Sequence, residues 1–522
     1  MDDGCSVAST GFGGHGLATP SFAAVARSAA GLGEDGRVHD GPLLLLVGAI
    51  LALSVVVALG AARTGFPVLV GFLGLGMVLG SDGPGGMAFD DADLARRVGT
   101  VGLGLILYEG GLQTSWRRLR EVAVPAVLLS TVGVLVSALL TGVAAFYLFD
   151  LPWLEAILIG SVVASTDAAA VFSTLRVTHI RRRLARTLEA ESGGNDPMAI
   201  ALTLGVVAWI ERPHAYGLGD LAVLVIRQLG LGLLVGVGLG IVASWAFARM
   251  PPSIAAFAPV ASLAAAALAF GAAQTIGGSG FLAVYLVGLA VGSTPSRHRR
   301  QLVGFHEGLA FVSQVTLFVV LGLLVFPHDL PGVALRGLAL ALLLMVVARP
   351  AAVWVSTALT GHTNRERALL GWAGLRGAVP IVLATFALSA NIPDKTTIFN
   401  AVFFVVLVST TVQATTLERV ARALRLVAPA PPVPEPPLEV GPMSRLDLVD
   451  FAVGAEHAVN GSAVRELGLP RDALIALIHR DGAAIPPRGS TVVQAGDRLF
   501  VLAPKTSRSV LEDVFARWQR RV

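Results

Sequence analysis

Glu191, Ser192, Gly193, Gly194, Asn195, Asp196 and Pro197 interrupt a stretch that continues as apolar sequence from Met198 to Ile210. An acid deep in a bilayer costs about 2.5 to 3.5 kcal/mol on insertion scales, and ionisable residues inside spans mark functional positions. Glu191 and Asn195 are four residues apart, as are Ser192 and Asp196, so one helical turn presents two adjacent polar rows on one side. Carboxylate, amide and hydroxyl oxygens so arranged suit a small cation that must shed its water. The competing explanation is a buried structural ion-pair network, which is a costly way to gain stability.

Other apolar stretches carry comparable interruptions. Glu109 lies in Leu107-Tyr108-Glu109-Gly110-Gly111-Leu112, and Ser165, Thr166 and Asp167 break a fifth stretch. Arg349-Pro350 interrupts the eleventh, and Gly374, Arg376, Gly377 and Pro380 interrupt the twelfth. An unwound segment at Asp167 exposes backbone carbonyls and half-helix ends, which suit cations. Arg376, from the facing broken helix, would neutralise either the opposite dipole ends or Asp167 itself. Glu109, Asp167, Glu191 and Asp196 stand against Arg349 and Arg376. The excess of acid is what a site for a monovalent cation or protons requires.

These residues need a membrane scaffold, and the composition provides one. Hydrophobic residues make up 54% of 522 and charged residues 14%, with a mean hydropathy of +0.73. Soluble proteins carry about 25% charged residues, so the chain reads as an α-helical polytopic membrane protein. The single cysteine, Cys5, excludes an internal disulfide and a cysteine-based metal cluster. A pI near 9.7 does not imply nucleic acid, because the basic residues lie mostly between apolar stretches. Runs long enough to span predict thirteen transmembrane helices: 42–62, 66–80, 97–115, 122–148, 153–175, 188–211, 219–248, 254–275, 278–293, 305–326, 332–358, 366–389 and 397–420. The second and ninth are short, and 277–280 is a weak break between the eighth and ninth. If the seventh links two inverted repeats, the broken fifth and twelfth hold the same place in their halves, the best sequence pointer to a midplane site.

Counting thirteen spans puts Arg117, Arg118 and Arg120 on the same side as Arg181 to Arg183, Arg249, Arg297, Arg299, Arg300, Arg365, Arg367, Arg419, Arg422 and Arg425. Acidic loops at Asp90, Asp91 and Asp93, at Asp150, Asp329 and Asp394 fall opposite. The positive-inside rule then predicts an outside N-terminus and a cytoplasmic C-terminus. Residues 1–40, rich in glycine, alanine and serine, read as a disordered extracytoplasmic tail or as sequence ahead of the true start. Gly11, Gly13 and Gly16 match a dinucleotide fingerprint in spacing only, with no preceding strand.

The membrane segment, 41–426, gives way to a stiff proline-rich linker at 427–437. Beyond it, 438–522 changes character. Short apolar runs at 446–449, 474–478, 491–493 and 498–502 alternate with turn signals at Asp481-Gly482, Pro486-Pro487 and Gly496-Asp497, and 510–522 reads as a helix. This predicts a small cytoplasmic α/β domain.

At these residues the chain resembles the monovalent cation:proton antiporters of the sodium/proton exchanger type, particularly the bacterial NhaP branch. The resemblance covers the whole membrane segment. It rests on Tyr108 to Leu112, Ser165-Thr166-Asp167, Glu191 to Pro197 and Gly374-Leu375-Arg376-Gly377-Ala378 taken together. The C-terminal domain resembles the TrkA-C or RCK-C regulatory domain of potassium-transport proteins. The resemblance implies that Asp196 alternately holds cation and proton, with Asn195 shaping its site. Ser192, Thr166, Asp167 and Glu109 would supply further oxygens or a water-mediated contact. Glu191 would pair with an arginine as scaffold, Arg349 or alternatively Arg376. It further implies a homodimer, no cofactor besides the transported K+ or Na+ and H+, and a small anionic regulatory ligand such as a nucleotide on the C-terminal domain. An Asn-Asp pair in that family goes with electroneutral exchange.

Desolvation penalises a carboxylate's charged form, so protons and cations compete for one anion, and a carrier that crosses only when neutralised exchanges them. Hard oxygen ligands serve sodium, potassium or lithium alike, so the preference for K+ comes only from the domain pairing. A sodium/proton antiporter with an inert C-terminal domain is the alternative. A cation channel is disfavoured by the lack of a Thr-Val-Gly-Tyr-Gly-like filter. An intramembrane aspartyl protease has only Gly217-Leu218-Gly219-Asp220 to recommend it, at a span boundary. His179, His298, His306 and His362 fall in or near the arginine-bearing loops without evident partners and read as solvated or structural.

Overall fold

The computed structural model describes residues 40–87, 89–167, 171, 180–296, 298–427, 446–480, 483–504 and 507–519. The amino-terminal tail and the proline-rich linker fall outside the described residues. Two compact units divide at Ala428 and Pro429.

The first unit is helical. Its elements are α1 (Asp40–Thr64), α2 (Val68–Leu79), α3 (Ala92–Gln113), α4 (Ala123–Phe149), α5 (Trp153–Val162), α6 (Arg182–Glu211) and α7 (Leu218–Arg249). They continue with α8 (Ala258–Thr275), α9 (Gly280–Ser293), α10 (Arg299–Leu323), α11 (Leu330–Thr357), α12 (Asn364–Trp372), α13 (Ala378–Ser389) and α14 (Lys395–Ala423). Among the described residues seven helices are long and apolar enough to cross a membrane, and α2, α5, α9 and α13 are shorter apolar helices. Each of the thirteen predicted stretches overlaps a helix. In the fifth, α5 ends at Val162, and the twelfth is split between α12 and α13. The weak break resolves into a turn between α8 and α9, where Gly277 takes a φ of +78° that side-chain-bearing residues rarely adopt. Asp220 accepts a hydrogen bond from the Gly217 N–H at 2.9 Å and so caps α7, which accounts for the motif at that boundary.

Two helix groups face each other. In one, α9 packs on α3, α7 and α8, and α10 packs on α2 and α3. In the other, α4 packs on α5, α11 on α14, and α13 on α14. The close approach of α9 and α3 depends on missing side chains. A Cβ on Gly111 would strike the Tyr285 carbonyl, and Cβ atoms on Gly288 and Gly292 would strike the carbonyls of Tyr108 and Leu112. Gly288 and Gly292 form the small-xxx-small pattern that lets membrane helices approach backbone to backbone. Both α4 and α11 contain one π-helical turn, at Leu129–Gly133 and at Leu344–Ala348.

The second unit is a four-stranded antiparallel sheet in the order β1-β4-β2-β3, made of β1 (Leu446–Ala452), β2 (Leu474–Arg480), β3 (Ala483–Ile485) and β4 (Arg498–Pro504). The run at 491–493 is not a strand, although Val492 bridges Ala463. The terminal helix α15 (Arg508–Trp518) lays Leu511, Val514 and Trp518 into the core beside Phe451, and Trp518 Nε1 donates to the Leu467 carbonyl at 2.8 Å. Arg480 clasps the buried Asp497 through Nε at 2.6 Å and Nη2 at 2.7 Å, and the Gln494 N–H adds a third bond at 2.8 Å. Burial alone would raise the Asp497 carboxyl. The Arg480 hydrogen bonds and charge, with the Gln494 amide, outweigh it and hold this carboxyl below the usual range.

A carboxyl depressed in the folded state contributes stability that is present above its unfolded pKa and lost as pH falls through the folded value. The second unit should therefore lose stability below about pH 4, the ordinary aspartate range. Asp497→Asn should remove this acid dependence and lower neutral-pH stability by about 3 kcal/mol. Amide hydrogen exchange of β1 and β4 in the full chain across pH, for wild type and variant, checks both.

Candidate functional site

The two helix breaks predicted from the sequence meet. The Asp167 N–H donates to the Leu375 carbonyl at 2.8 Å, tying the segment after α5 to the segment before α13. Arg376 is fully buried. Its Nη1 donates to the carbonyl of Ala164 at 2.9 Å and to that of Ser165. A guanidinium thus caps the carbonyl end of α5, where the partial negative charge of a helix accumulates. These hydrogen bonds put Arg376 on the backbone just past the end of α5. From α14, Thr410 Oγ1 donates to the Arg376 carbonyl at 2.7 Å, and Gln413 Nε2 donates to the Trp372 carbonyl at 3.0 Å.

The glycines flanking Arg376 serve its neighbours. A Cβ on Gly377 would collide with the Asp167 carboxylate, and a Cβ on Gly374 would lie 2.7 Å from Arg349 Nε. The Gly-Leu-Arg-Gly spacing therefore leaves room for an acid on one side and a second arginine on the other.

That second arginine is the partner of Glu191. Arg349 Nη1 lies 2.6 Å from Glu191 Oε1, and Nη2 donates to Oε2 at 2.9 Å, with both side chains buried. One contact is a charged hydrogen bond and the other a close ion-pair contact, and charge-assisted bonds of this kind are the strong ones. The helix α6 carries Glu191 and Asp196 without interruption. Ser130, from the π turn of α4, donates to the Glu191 carbonyl at 2.9 Å. Pro197 has no N–H to offer the Gly193 carbonyl, so that oxygen lacks its usual helical donor.

Asn195 and Asp196 point to different tasks. Asn195 Nδ2 donates to Thr166 Oγ1 at 2.6 Å, bonding α6 to the unwound segment. Asp196 is buried, and among the described residues its Oδ1 has no hydrogen-bond partner. Asp196 faces a cavity of about 280 Å3 together with Asp167, Ser192 and Glu109. Thr166, Asn195, Glu191, Arg349 and Arg376 stand around this cavity without lining it. Glu109 accepts a hydrogen bond from Gln113, one turn along α3.

The cavity lies between the two helix groups, with α3, α9 and α10 on one side and α6, α13 and the Asp167 segment on the other. It runs outward past Gln113, Thr114, Glu189 and Arg118. Tyr285 and Gln314 also line it, and sequence reasoning missed both. Gln314 is a polar residue in an apolar run, the same signal that exposed Glu109. Tyr285 is masked by being aromatic in an apolar helix.

Three histidines without evident partners in the sequence have them in the structure. His362 Nδ1 lies 2.7 Å from Thr360 Oγ1, and His298 Nε2 lies 3.4 Å from the Met250 carbonyl. His306, inside the tenth predicted stretch, is the third. It is buried in α10 with Nε2 2.9 Å from Ser262 Oγ, which also meets the Tyr108 hydroxyl at 2.8 Å. This chain joins α3, α8 and α10.

The sodium/hydrogen exchanger transmembrane family matches residues 48–423, and the TrkA-C domain family matches residues 448–516. A relative named K(+)/H(+) antiporter NhaP2 from Shewanella sp. (strain ANA-3) is 38% identical over 477 residues, covering 90% of this chain and 83% of its own. K(+)/H(+) antiporter NhaP from Alkalimonas amylolytica is 35% identical over 466 residues, covering 88% and 80%. Among solved structures, the sodium proton antiporter MjNhaP1 from Methanocaldococcus jannaschii at pH 8 aligns with a TM-score of 0.66 at 24% identity. The alignment covers 73% of this chain and 98% of that one, a likeness of fold.

Glu191→Gln should leave the Arg349 guanidinium buried without its counter-charge, at a cost of about 3 to 5 kcal/mol. Purified yield and thermal unfolding in detergent should both fall. Unchanged stability with an altered cation affinity would instead make Glu191 a ligand.

Proposed function

The chain belongs to the sodium/hydrogen exchanger family, and on that premise we propose that it exchanges a monovalent cation for protons across the cell membrane by alternating access. The observation that carries this reading is the Asp196 carboxylate, buried at the crossing of two broken helix segments, with one oxygen unpartnered and a polar cavity leading away from it. Asp196 is the group that holds cation and proton in turn. Asp167, Ser192 and Glu109 supply further oxygens from the cavity wall. Thr166 contributes through the unwound backbone it belongs to, and Asn195 fixes that backbone by its bond to Thr166. Glu191 and Arg349 balance each other as scaffold, and Arg376 neutralises the end of α5.

Cation and proton neutralise Asp196 equally, which favours electroneutral, one-for-one exchange. K+ is the favoured cation, supported by the names of the relatives at 38% and 35% identity. Na+ is the alternative, since hard oxygen ligands serve both. The thirteen stretches read as thirteen crossings in inverted repeats, with the N-terminus outside. The π turns of the fourth and eleventh stretches, in corresponding places of the two halves, agree with that symmetry. In this orientation the cavity mouth at Arg118 opens to the cytoplasm. The assembly is a homodimer, and the TrkA-C domain regulates transport through a small anionic ligand such as a nucleotide.

Asp196→Asn removes a charge at nearly constant volume. It should insert and fold yet reduce cation-driven proton flux in reconstituted vesicles to the protein-free level, for K+ and for Na+ alike. Exchange at normal rates would exclude Asp196 as the shared group. Conduction of cation without coupled proton movement in the wild type would favour a channel.

Ending the chain after Leu426 should leave exchange measurable while changing its dependence on pH or on added nucleotide. Regulation requires that a ligand favour one transporter state, by about 1 to 3 kcal/mol. Identical profiles for full-length and shortened protein would mark the C-terminal domain as inert.

A further inference from the structure

Among the described residues, Tyr285 is the one aromatic residue on the cavity wall. It is only 6% exposed, and among the described residues its hydroxyl makes no hydrogen bond of normal geometry, the neighbouring Thr114 hydroxyl being spent on the Gly110 carbonyl. A buried polar group left unpaired costs about 1 to 3 kcal/mol, and each such group in a folded protein calls for an explanation. The nearest alternative is that a tyrosine merely fills space, but phenylalanine fills the same space without that cost.

The ring is held in place. The α9 backbone is pressed on α3 at Gly111, Gly288 and Gly292, and on α7 at Gly236 and Gly240, where added Cβ atoms would lie 2.9 Å from Ala283 and Ala290. From that clamped helix the ring reaches over Gly193 of α6, and a Cβ on Gly193 would collide with the ring and with the hydroxyl itself. Gly193 stands between Ser192 and Asp196 in sequence, and all three line the cavity. The Gly193 carbonyl, deprived of its helical donor by Pro197, belongs to the same turn of α6. The phenolic oxygen therefore sits where the wall of α9 meets the Asp196 helix, with Glu109, Gln113 and Thr114 beyond it on α3 and at its end.

We propose that the Tyr285 hydroxyl is a neutral oxygen ligand for the partly dehydrated monovalent cation on its way to Asp196. This rests on the antiport reading and adds to it a ligand from the opposite helix group. A phenol offers an oxygen without a charge. It replaces a water of hydration at entry and leaves the one-cation-for-one-proton balance to the carboxylates. The hydroxyl belongs to α9 and Asp196 to α6, so this contact is made only while those two helices keep the register set at Gly193.

The test is Tyr285→Phe in reconstituted vesicles, with proton efflux measured against rising K+ and Na+ at fixed pH, beside the wild type. The half-saturating cation concentration should rise about three- to tenfold, the worth of one neutral hydrogen-bonding oxygen. Maximal rate should be preserved, because the ring and its seat on Gly193 remain, and the melting temperature should hold or rise, because an unpaired buried hydroxyl is removed. Half-saturation within twofold of wild type would overturn the assignment and leave Tyr285 as packing. A fall in maximal rate or melting temperature with unchanged half-saturation would overturn it equally. Absence of cation-driven proton flux in the wild type would defeat the antiport reading itself. Normal wild-type flux with an unaltered Phe variant defeats only the ligand role.

Discussion

The capping of α5 by Arg376 is the interaction on which the rest of the site depends. Non-helical backbone at membrane depth leaves carbonyls that no lipid can satisfy. Arg376 Nη1 takes the Ala164 and Ser165 carbonyls, and the Asp167 N–H takes that of Leu375. A lysine would bring the charge as a compact ammonium on a flexible stem, not as a planar fork. Once the break is stabilised, the Asp167 carboxylate can lie against Gly377, and Asn195 can reach Thr166. The site is thus assembled by opening two helices and joining the loose ends.

Charge balance then divides the acids into two kinds. Glu191 is matched closely by Arg349, and Arg376 is engaged with backbone dipoles. Asp196 retains an unpartnered oxygen beside a cavity. Such an asymmetry between neighbouring carboxylates separates a group with a fixed counter-charge from one without. A buried ion pair is a poor source of net stability, but breaking one is expensive. The pair at Glu191 therefore fixes the position of α6 more than it strengthens the fold.

Much of this was legible in the residues because polar side chains in apolar runs are conspicuous. Glu109, Ser165 to Asp167, Glu191 to Pro197 and Gly374 to Gly377 each broke a hydropathy pattern, and the structure brings them to one place. Tyr285 was hidden because an aromatic ring does not break such a pattern, and its polarity resides in one terminal atom. His306 fell inside the predicted 305–326 stretch, but its partner was hidden because Ser262 lies on α8, distant in sequence. The partner of Glu191 could not be chosen from sequence, since Arg349 and Arg376 are equally charged and both embedded. Only the distances separate them. In the second unit, β3 (Ala483–Ile485) escaped notice because three residues are too few to display alternation.

The π turns of α4 and α11 have a consequence for how this chain can vary in length. A π turn holds one residue more than the α turn it replaces. Removing one residue from Leu129–Gly133 or Leu344–Ala348 lets the helix close as ordinary α, and the flanking residues keep their faces. Removing one elsewhere in the same helices turns every following side chain by about 100° about the axis. These two turns are therefore where insertions and deletions are absorbed. What is forfeited there is local: the reach of Ser130 to the Glu191 carbonyl in α4, and the offset that delivers Arg349 to its carboxylate in α11.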